Sequence, residues 1–379
     1  METIKGVKII ENGRISSVPV DISFDGGVIT QIERSGCGGA EPLYVSMGFI
    51  DIHTHGGGGH DVSECTADAL NAIGNYHLKR GVTAYLPAFV ASPLSVLDDY
   101  FEKLRSIQAD GAEILGAHIE GPYISPEKKG AQPIENILTV YDDNDKGFFE
   151  RNSDILKIVT LCPATQNAPT LVKRLAENGI KAQAGHDNSF DFQIEACMAE
   201  GLDGVTHLYN ASSGIRRASD SVEKRLGLNE TALLHDALFC EVIADNVHIP
   251  PRLFKLIYKN KDFKRIILIS DSLSIADAPD GRYFLGGDIE IISDGRVAYL
   301  KDKSAIAGSV TSVSTAVLNV INTGIPLAEA VYSAAEAPAA YLGILDKMKI
   351  AVGNNATFNV LNRDGSVRET YFKGNKVAK

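Results

Sequence analysis

Apolar runs of strand length recur along this chain, and five of them end in a histidine or a carboxylate. The first, Gly48-Phe-Ile-Asp-Ile-His-Thr-His-Gly-Gly-Gly-Gly59, carries His53 and His55 where it opens into a glycine loop. Side chains alternate faces along a strand, so these two imidazoles point the same way and form half of a metal site. Glu120 follows in Ile114-Leu-Gly-Ala-His-Ile-Glu-Gly121, His186 in Ala182-Gln-Ala-Gly-His186, His207 in Gly204-Val-Thr-His207 and Asp271 in Arg265-Ile-Ile-Leu-Ile-Ser-Asp271. The intervals are 65 residues (55 to 120), 66 (120 to 186), 21 (186 to 207) and 64 (207 to 271). A βα unit of a (β/α)8 barrel takes on the order of 30 residues. The long intervals therefore each skip one strand, the short one is a single unit, and the polar residues fall on strands 1, 3, 5, 6 and 8.

The skipped strands are present. Thr83-Ala-Tyr-Leu-Pro-Ala-Phe-Val90 fits strand 2, Lys157-Ile-Val-Thr-Leu-Cys-Pro163 strand 4 and Leu238-Phe-Cys-Glu-Val-Ile-Ala-Asp245 strand 7. Helix-like stretches lie between them, such as Thr66 to Lys79, closed by Gly81. Continuous apolar strands alternating with helices predict a parallel sheet covered on both faces. Barrels of this kind do their chemistry at the C-terminal ends of the strands, where every one of these polar positions falls.

At 379 residues the chain exceeds the usual barrel of about 250, so a second module is expected. Residues 1–47 read as short strands with hairpin punctuation, and residues 349–379 repeat the pattern, with an Asp-Gly turn inside Thr357 to Arg368. The predicted fold class is α/β: a (β/α)8 TIM-like barrel over 48–348 beside a small β-sandwich module built from both chain ends. Gly287 to Tyr299 reads as a further hairpin after strand 8. The net charge of −11 argues against nucleic acid or an anionic membrane as partner, and no apolar run reaches the roughly 20 residues of a bilayer span. No signal peptide is evident, and Cys37, Cys65, Cys162, Cys197 and Cys240 are scattered without CxxC spacing. These features predict a cytoplasmic enzyme with reduced thiols.

His53, His55, Glu120, His186 and His207 suit Zn2+, Fe2+ or a similar ion better than Mg2+ or Ca2+. A single catalytic ion needs about three protein ligands, so five leave room for one or two divalent ions, with Glu120 as the bridge. Asp271 is the candidate general base. His118 shares the face of Glu120 but lies deeper, as a supporting or core residue, and His60, His77 and His235 fall in loop or helical surroundings.

With these residues in hand, the chain resembles the amidohydrolase superfamily and, within it, the N-acetylglucosamine-6-phosphate deacetylase family. The resemblance rests on the Gly48 to Gly57 segment, His118-Ile-Glu-Gly-Pro-Tyr with Lys128-Lys-Gly-Ala131, and Gly185-His186. It continues in Thr206-His-Leu-Tyr-Asn-Ala211, Ala244-Asp-Asn-Val-His248, Ser270-Asp271 and Ala307-Gly-Ser309. It implies removal of the acetyl group from an amino-sugar 6-phosphate, with Asp271 passing a proton to the departing nitrogen. Glu120, His186 and His207 would hold the main ion, and His53 with His55 a second. Ala131, Asn210, Ala211, His248 and the Ile306-Ala307-Gly308 loop match positions that contact the sugar phosphate. Arg216 or Arg217 matches an arginine that reaches the substrate phosphate of a neighbouring subunit, which implies a homodimer.

Three positions depart from the family pattern. Gln132 stands where many members have a histidine that polarises the carbonyl; its amide N–H can still donate to an oxyanion. The loop after Ala211 is short, and Glu336-Ala-Pro338 replaces a commoner Asn-Pro, with an expected structural role. A dihydroorotase- or hydantoinase-type hydrolase would need a carboxylated lysine ending strand 4, where this chain has Thr160-Leu-Cys-Pro163. The galacto epimer of the sugar remains open as substrate.

Overall fold

The computed structural model describes residues 1–36, 43–142, 145–219, 222–279 and 281–378; Cys37 lies outside them. Eight parallel strands run in chain order around the barrel: β1 (Phe49–Thr54), β2 (Val82–Val90), β3 (Ala117–Glu120), β4 (Leu156–Leu161), β5 (Lys181–Ala184), β6 (Gly204–Val205), β7 (Phe239–Val242) and β8 (Ile266–Leu268). Every residue of β1 and β2 is buried, as a sheet covered on both faces requires. The helix after β1 spans Ala67–Leu78; Thr66 caps it by accepting the Ala69 N–H. Gly81, at φ +82°, turns the chain back into β2, where a side chain would meet Asn359.

The circle closes without a ladder between β8 and β1. The Asp271 N–H donates to the His53 carbonyl (2.9 Å), and the His55 N–H donates to the Ser272 carbonyl (2.9 Å). Buried Asp51 supports the same seam: its Oδ1 accepts the N–H of Ser270 (3.2 Å) and that of His53 (3.3 Å). The strand carrying His53 and the segment carrying Asp271 are therefore locked together by backbone geometry.

Strands from both chain ends form one further sheet. Its order is Asn375–Lys376, Val367–Phe372, Phe358–Leu361, Tyr44–Met47, Glu2–Glu11, Val20–Asp25 and Val28–Arg34, with Arg14–Ile15 on Glu2–Glu11. Phe358 and Phe24 sit three strands apart, about 14 Å in a flat sheet, yet their rings are 5.7 Å apart. The sheet has folded over on itself around Val7, Ile22, Val45 and Tyr371. Glu336 joins this module to the barrel, since its carboxylate accepts the Asn12 N–H with both oxygens (2.9 and 3.0 Å).

The single hairpin expected after β8 is a four-stranded antiparallel meander: Tyr283–Leu285, Ile289–Ser293, Val297–Leu300 and Ile306–Ser309. The outer strands are short and carry little alternation, so only the inner pair was legible. Leu285, Ile291 and Ala298 pack with Val90 and Leu273 over the barrel mouth. The four described cysteines are free and buried. Among the described residues no helix is long and apolar enough to cross a membrane.

Asp51→Ala leaves two buried N–H groups without this acceptor, at about 1–3 kcal/mol each. It should lower the unfolding free energy by about 2–5 kcal/mol, and Asp51→Asn by less. An unchanged denaturation midpoint for Asp51→Ala would show that the seam is held elsewhere.

Candidate metal centre

The ligands project from strand ends where the backbone turns sharply. His186, His207 and Asp271 adopt positive φ values of 45°, 29° and 48°, a region that non-glycine residues occupy mainly where surrounding structure enforces it. Each turn swings a side chain into the barrel mouth. Glu120, at the end of β3, meets them there: its Oε1 lies 2.9 Å from His186 Nε2 and 2.8 Å from His207 Nε2, and those two nitrogens are 3.2 Å apart. On the other side, Glu120 Oε2 is 3.3 Å from His55 Nε2, which is 3.4 Å from Asp271 Oδ1. His53 Nε2 faces Glu120 Oε1 at 3.6 Å and Asp271 Oδ1 at 3.7 Å. Among the described residues three groups could hold an ion: Glu120 with His186 and His207, His53 with His55 and Asp271, and, deeper, His53 with His118 and Glu241. Glu120 touches the first two.

The donor set fits a cation. His186 Nδ1 donates to the Lys128 carbonyl and His55 Nδ1 to the Ala88 carbonyl, both at 2.7 Å. Those acceptors place the hydrogen on Nδ1, so each neutral ring turns an Nε2 lone pair toward a carboxylate oxygen. Lone pair facing lone pair is repulsive unless positive charge lies between them. His53 Nε2 is buried with no hydrogen-bond partner among the described residues. Burial opposes charge on His55, but Asp271 and Glu120 outweigh it and raise its pKa to about 9. Burial likewise opposes charge on His53, and Glu241 and Glu120 outweigh it, pushing the ring well above its ordinary value. Burial pushes the Glu120 carboxyl up, yet His186 and His53 prevail and hold it well below the usual range. The cluster attracts positive charge.

A cavity of about 290 Å3 opens onto this centre, lined by Ala131, Gln132, Asn210, Ala211, His248, Ile306, Ala307 and Gly308 beside His55, Glu120, His186, His207 and Asp271. His53 lies beneath it, fully buried. Gln132 is buried and oriented: its Oε1 accepts the Ala91 N–H (2.7 Å) and its Nε2 donates to Glu120 Oε2 (2.5 Å). His248 Nδ1 is held by Asp245 at 2.7 Å. Arg216 and Arg217 lie outside this cavity, on a short strand paired with Lys224–Arg225. The Arg216 guanidinium stacks on Phe190 (4.0 Å) and donates to the Asn188 and Ser189 carbonyls, whereas Arg217 is exposed. His118 sits behind the ligands, bonded to Ile52 O and Thr160 Oγ1. His60 and His235 meet surface glutamates, and His77 is packed inside a helix.

Sequence reasoning passed over Glu241 and two further residues that line the cavity, Glu127 and Leu285. Glu241 carried a signal, a lone acid inside the apolar run of β7. Leu285 reaches the cavity only through the meander. A larger groove of about 680 Å3, lined by Leu104, Arg105, Gly111 and Asp154, contains no imidazole. Convergent ligands, not volume, mark the site.

A parallel barrel with a buried histidine–carboxylate cluster at its mouth defines a metal-dependent barrel enzyme. The model of the amidohydrolase family matches residues 44–377, and the chain belongs to that family. It is 30% identical over 376 residues to N-acetylglucosamine-6-phosphate deacetylase of Vibrio furnissii, covering 98% of this chain and 90% of that one. It is also 30% identical over 331 residues to N-acetylgalactosamine-6-phosphate deacetylase of Escherichia coli O157:H7, covering 86% and 85%. The crystal structure of N-acetylglucosamine-6-phosphate deacetylase from Pasteurella multocida superposes with a TM-score of 0.88 at 25% identity, over 100% of this chain and 99% of that one.

Because the neighbouring carboxylates favour a proton on His53 and His55 when no ion is bound, metal loading at these rings competes with protonation. Loading metal-free protein at pH 7 should acidify a weakly buffered solution, and affinity should climb as the pH rises toward the His55 value of about 9. Affinity that stays flat from about pH 6 to 9 would remove these rings from the ligand set.

Proposed function

We propose that this chain removes the acetyl group from N-acetylglucosamine 6-phosphate, giving glucosamine 6-phosphate and acetate. The observation that carries the reading is the convergence of Glu120, His186, His207, His55 and Asp271 on one cavity. The family and the relatives named above support it. A divalent ion, Zn2+ or Fe2+, bound by this centre would acidify a coordinated water and polarise the amide carbonyl. We infer two ions, because Glu120 faces both ligand groups.

Asp271 does the proton work. Burial raises its pKa, but the His55 hydrogen bond and the His53 charge outweigh this and keep it below its ordinary value, so it is ionised and able to accept. It takes a proton from the attacking water and delivers it to the nitrogen as the C–N bond breaks, so a neutral amine leaves with acetic acid, which gives its remaining proton to solvent and becomes acetate. Gln132 holds Glu120 in place and keeps its second amide hydrogen for the oxyanion. Asn210, His248, the Ala131 backbone and the Ile306 to Gly308 strand receive the sugar phosphate. Arg216 or Arg217 serves the neighbouring subunit of a homodimer. The barrel of 48–348 carries the chemistry, and the module of 1–47 and 349–379 braces it. We place the protein in the cytoplasm, with no nucleic-acid or membrane partner.

The galacto epimer is the second reading, favoured by the similarity to the Escherichia coli relative. Acetate release from both sugar phosphates separates the two, and no release from metal-replete protein with either would reject the deacetylase. Asp271→Asn should lower kcat by about 10²–10⁴-fold while the bound metal stays. Equal loss of metal and activity would make Asp271 a ligand only.

A further inference from the structure

Glu241 lies on β7, 1% exposed, between the buried Cys240 and Val242 of its own strand. An acid is rarely kept there without a task, because desolvating it is costly unless partners compensate. One oxygen has partners: Oε2 accepts from His53 Nδ1 at 3.0 Å and from the His207 backbone N–H at 3.4 Å. The other, Oε1, is buried and unpartnered among the described residues. A single carboxylate thus touches a ring of one ligand group and the backbone of the other. With the hydrogen held on Nδ1, His53 turns its Nε2 lone pair toward Glu120 and Asp271.

Charge points the same way. Glu120, Asp271 and Glu241 place three carboxylates in contact with these imidazoles. One divalent cation would leave the cluster net negative. Two leave it net positive, as a site receiving an anionic sugar phosphate and a developing oxyanion requires.

We infer that Glu241 is a positioning residue that builds the second ion's site, fixing the tautomer and aim of His53 and supplying the negative charge that retains a second cation. The inference rests on the metal-dependent reading above, and it assigns Glu241 no contact with substrate.

The test measures metal content and the affinity of each ion, with the absorption spectrum of the Co2+-loaded protein as an independent readout. In Glu241→Gln one ion should remain tightly held while the other weakens by about 10–100-fold, with a change in the Co2+ spectrum. Glu241→Asp keeps the charge one methylene short and should weaken the same ion less; it also serves if the glutamine variant does not fold. Adding Glu241→Gln to a His53→Gln protein should cost clearly less affinity than it does in the wild type, since the orienting part of its effect runs through the His53 ring. Glu241 variants that hold both ions with wild-type affinity, or losses that simply add to those of His53→Gln, overturn the inference. Acetate release by the wild type checks the hydrolase reading separately: an active wild type with unchanged Glu241 variants sinks only the role given to Glu241.

Discussion

Carboxylates and imidazole lone pairs forced to face one another out of water are the condition to which the rest of this structure answers. Glu120 stands within hydrogen-bond range of two Nε2 atoms that lie 3.2 Å from each other. Such an arrangement is unfavourable in a dry interior until positive charge occupies its centre. Holding it requires a scaffold stiff enough to prevent the side chains from turning away. The closed parallel barrel supplies that stiffness, because each ligand sits at the end of a strand whose backbone is hydrogen-bonded on both sides.

The hydrogen bonds behind the ligands matter as much as the ligands. Two of the rings give their Nδ1 hydrogens to main-chain carbonyls, of Lys128 and Ala88, and one gives it to Glu241. A carbonyl fixes orientation at little electrostatic cost, whereas a buried carboxylate also adds charge. The difference separates His53 from its neighbours and explains why an acid survives inside β7. The seam follows the same logic, with Asp51 aligning the strand that carries His53 with the segment that carries Asp271. Its carboxylate spans two elements that no ladder connects.

Much of this was legible before any coordinates. All eight barrel strands lie on the runs read from the sequence, since buried parallel strands are apolar without interruption and end abruptly at polar residues. The strand-end placement of His53, His55, Glu120, His186, His207 and Asp271 was legible for the same reason: a lone histidine or acid stands directly after such a run. The meander was half legible, because its outer strands are three and four residues long. The fold-over of the terminal sheet left no trace in either end alone. Gln132 could be named but not aimed, and its bond to Glu120 depends on a loop that approaches from β3.

What the sequence determined by itself was periodic and local: which runs are strands, where they stop, and which donor types stand at the stops. Tertiary structure alone decided the pairings across the mouth. Glu120 faces both ligand groups, Glu241 on the seventh strand holds His53 on the first, and Leu285 reaches the cavity from a distant hairpin. These relations depend on barrel closure, which brings residues nearly two hundred positions apart within 3 Å, and closure is a property of the whole sheet that no single segment encodes.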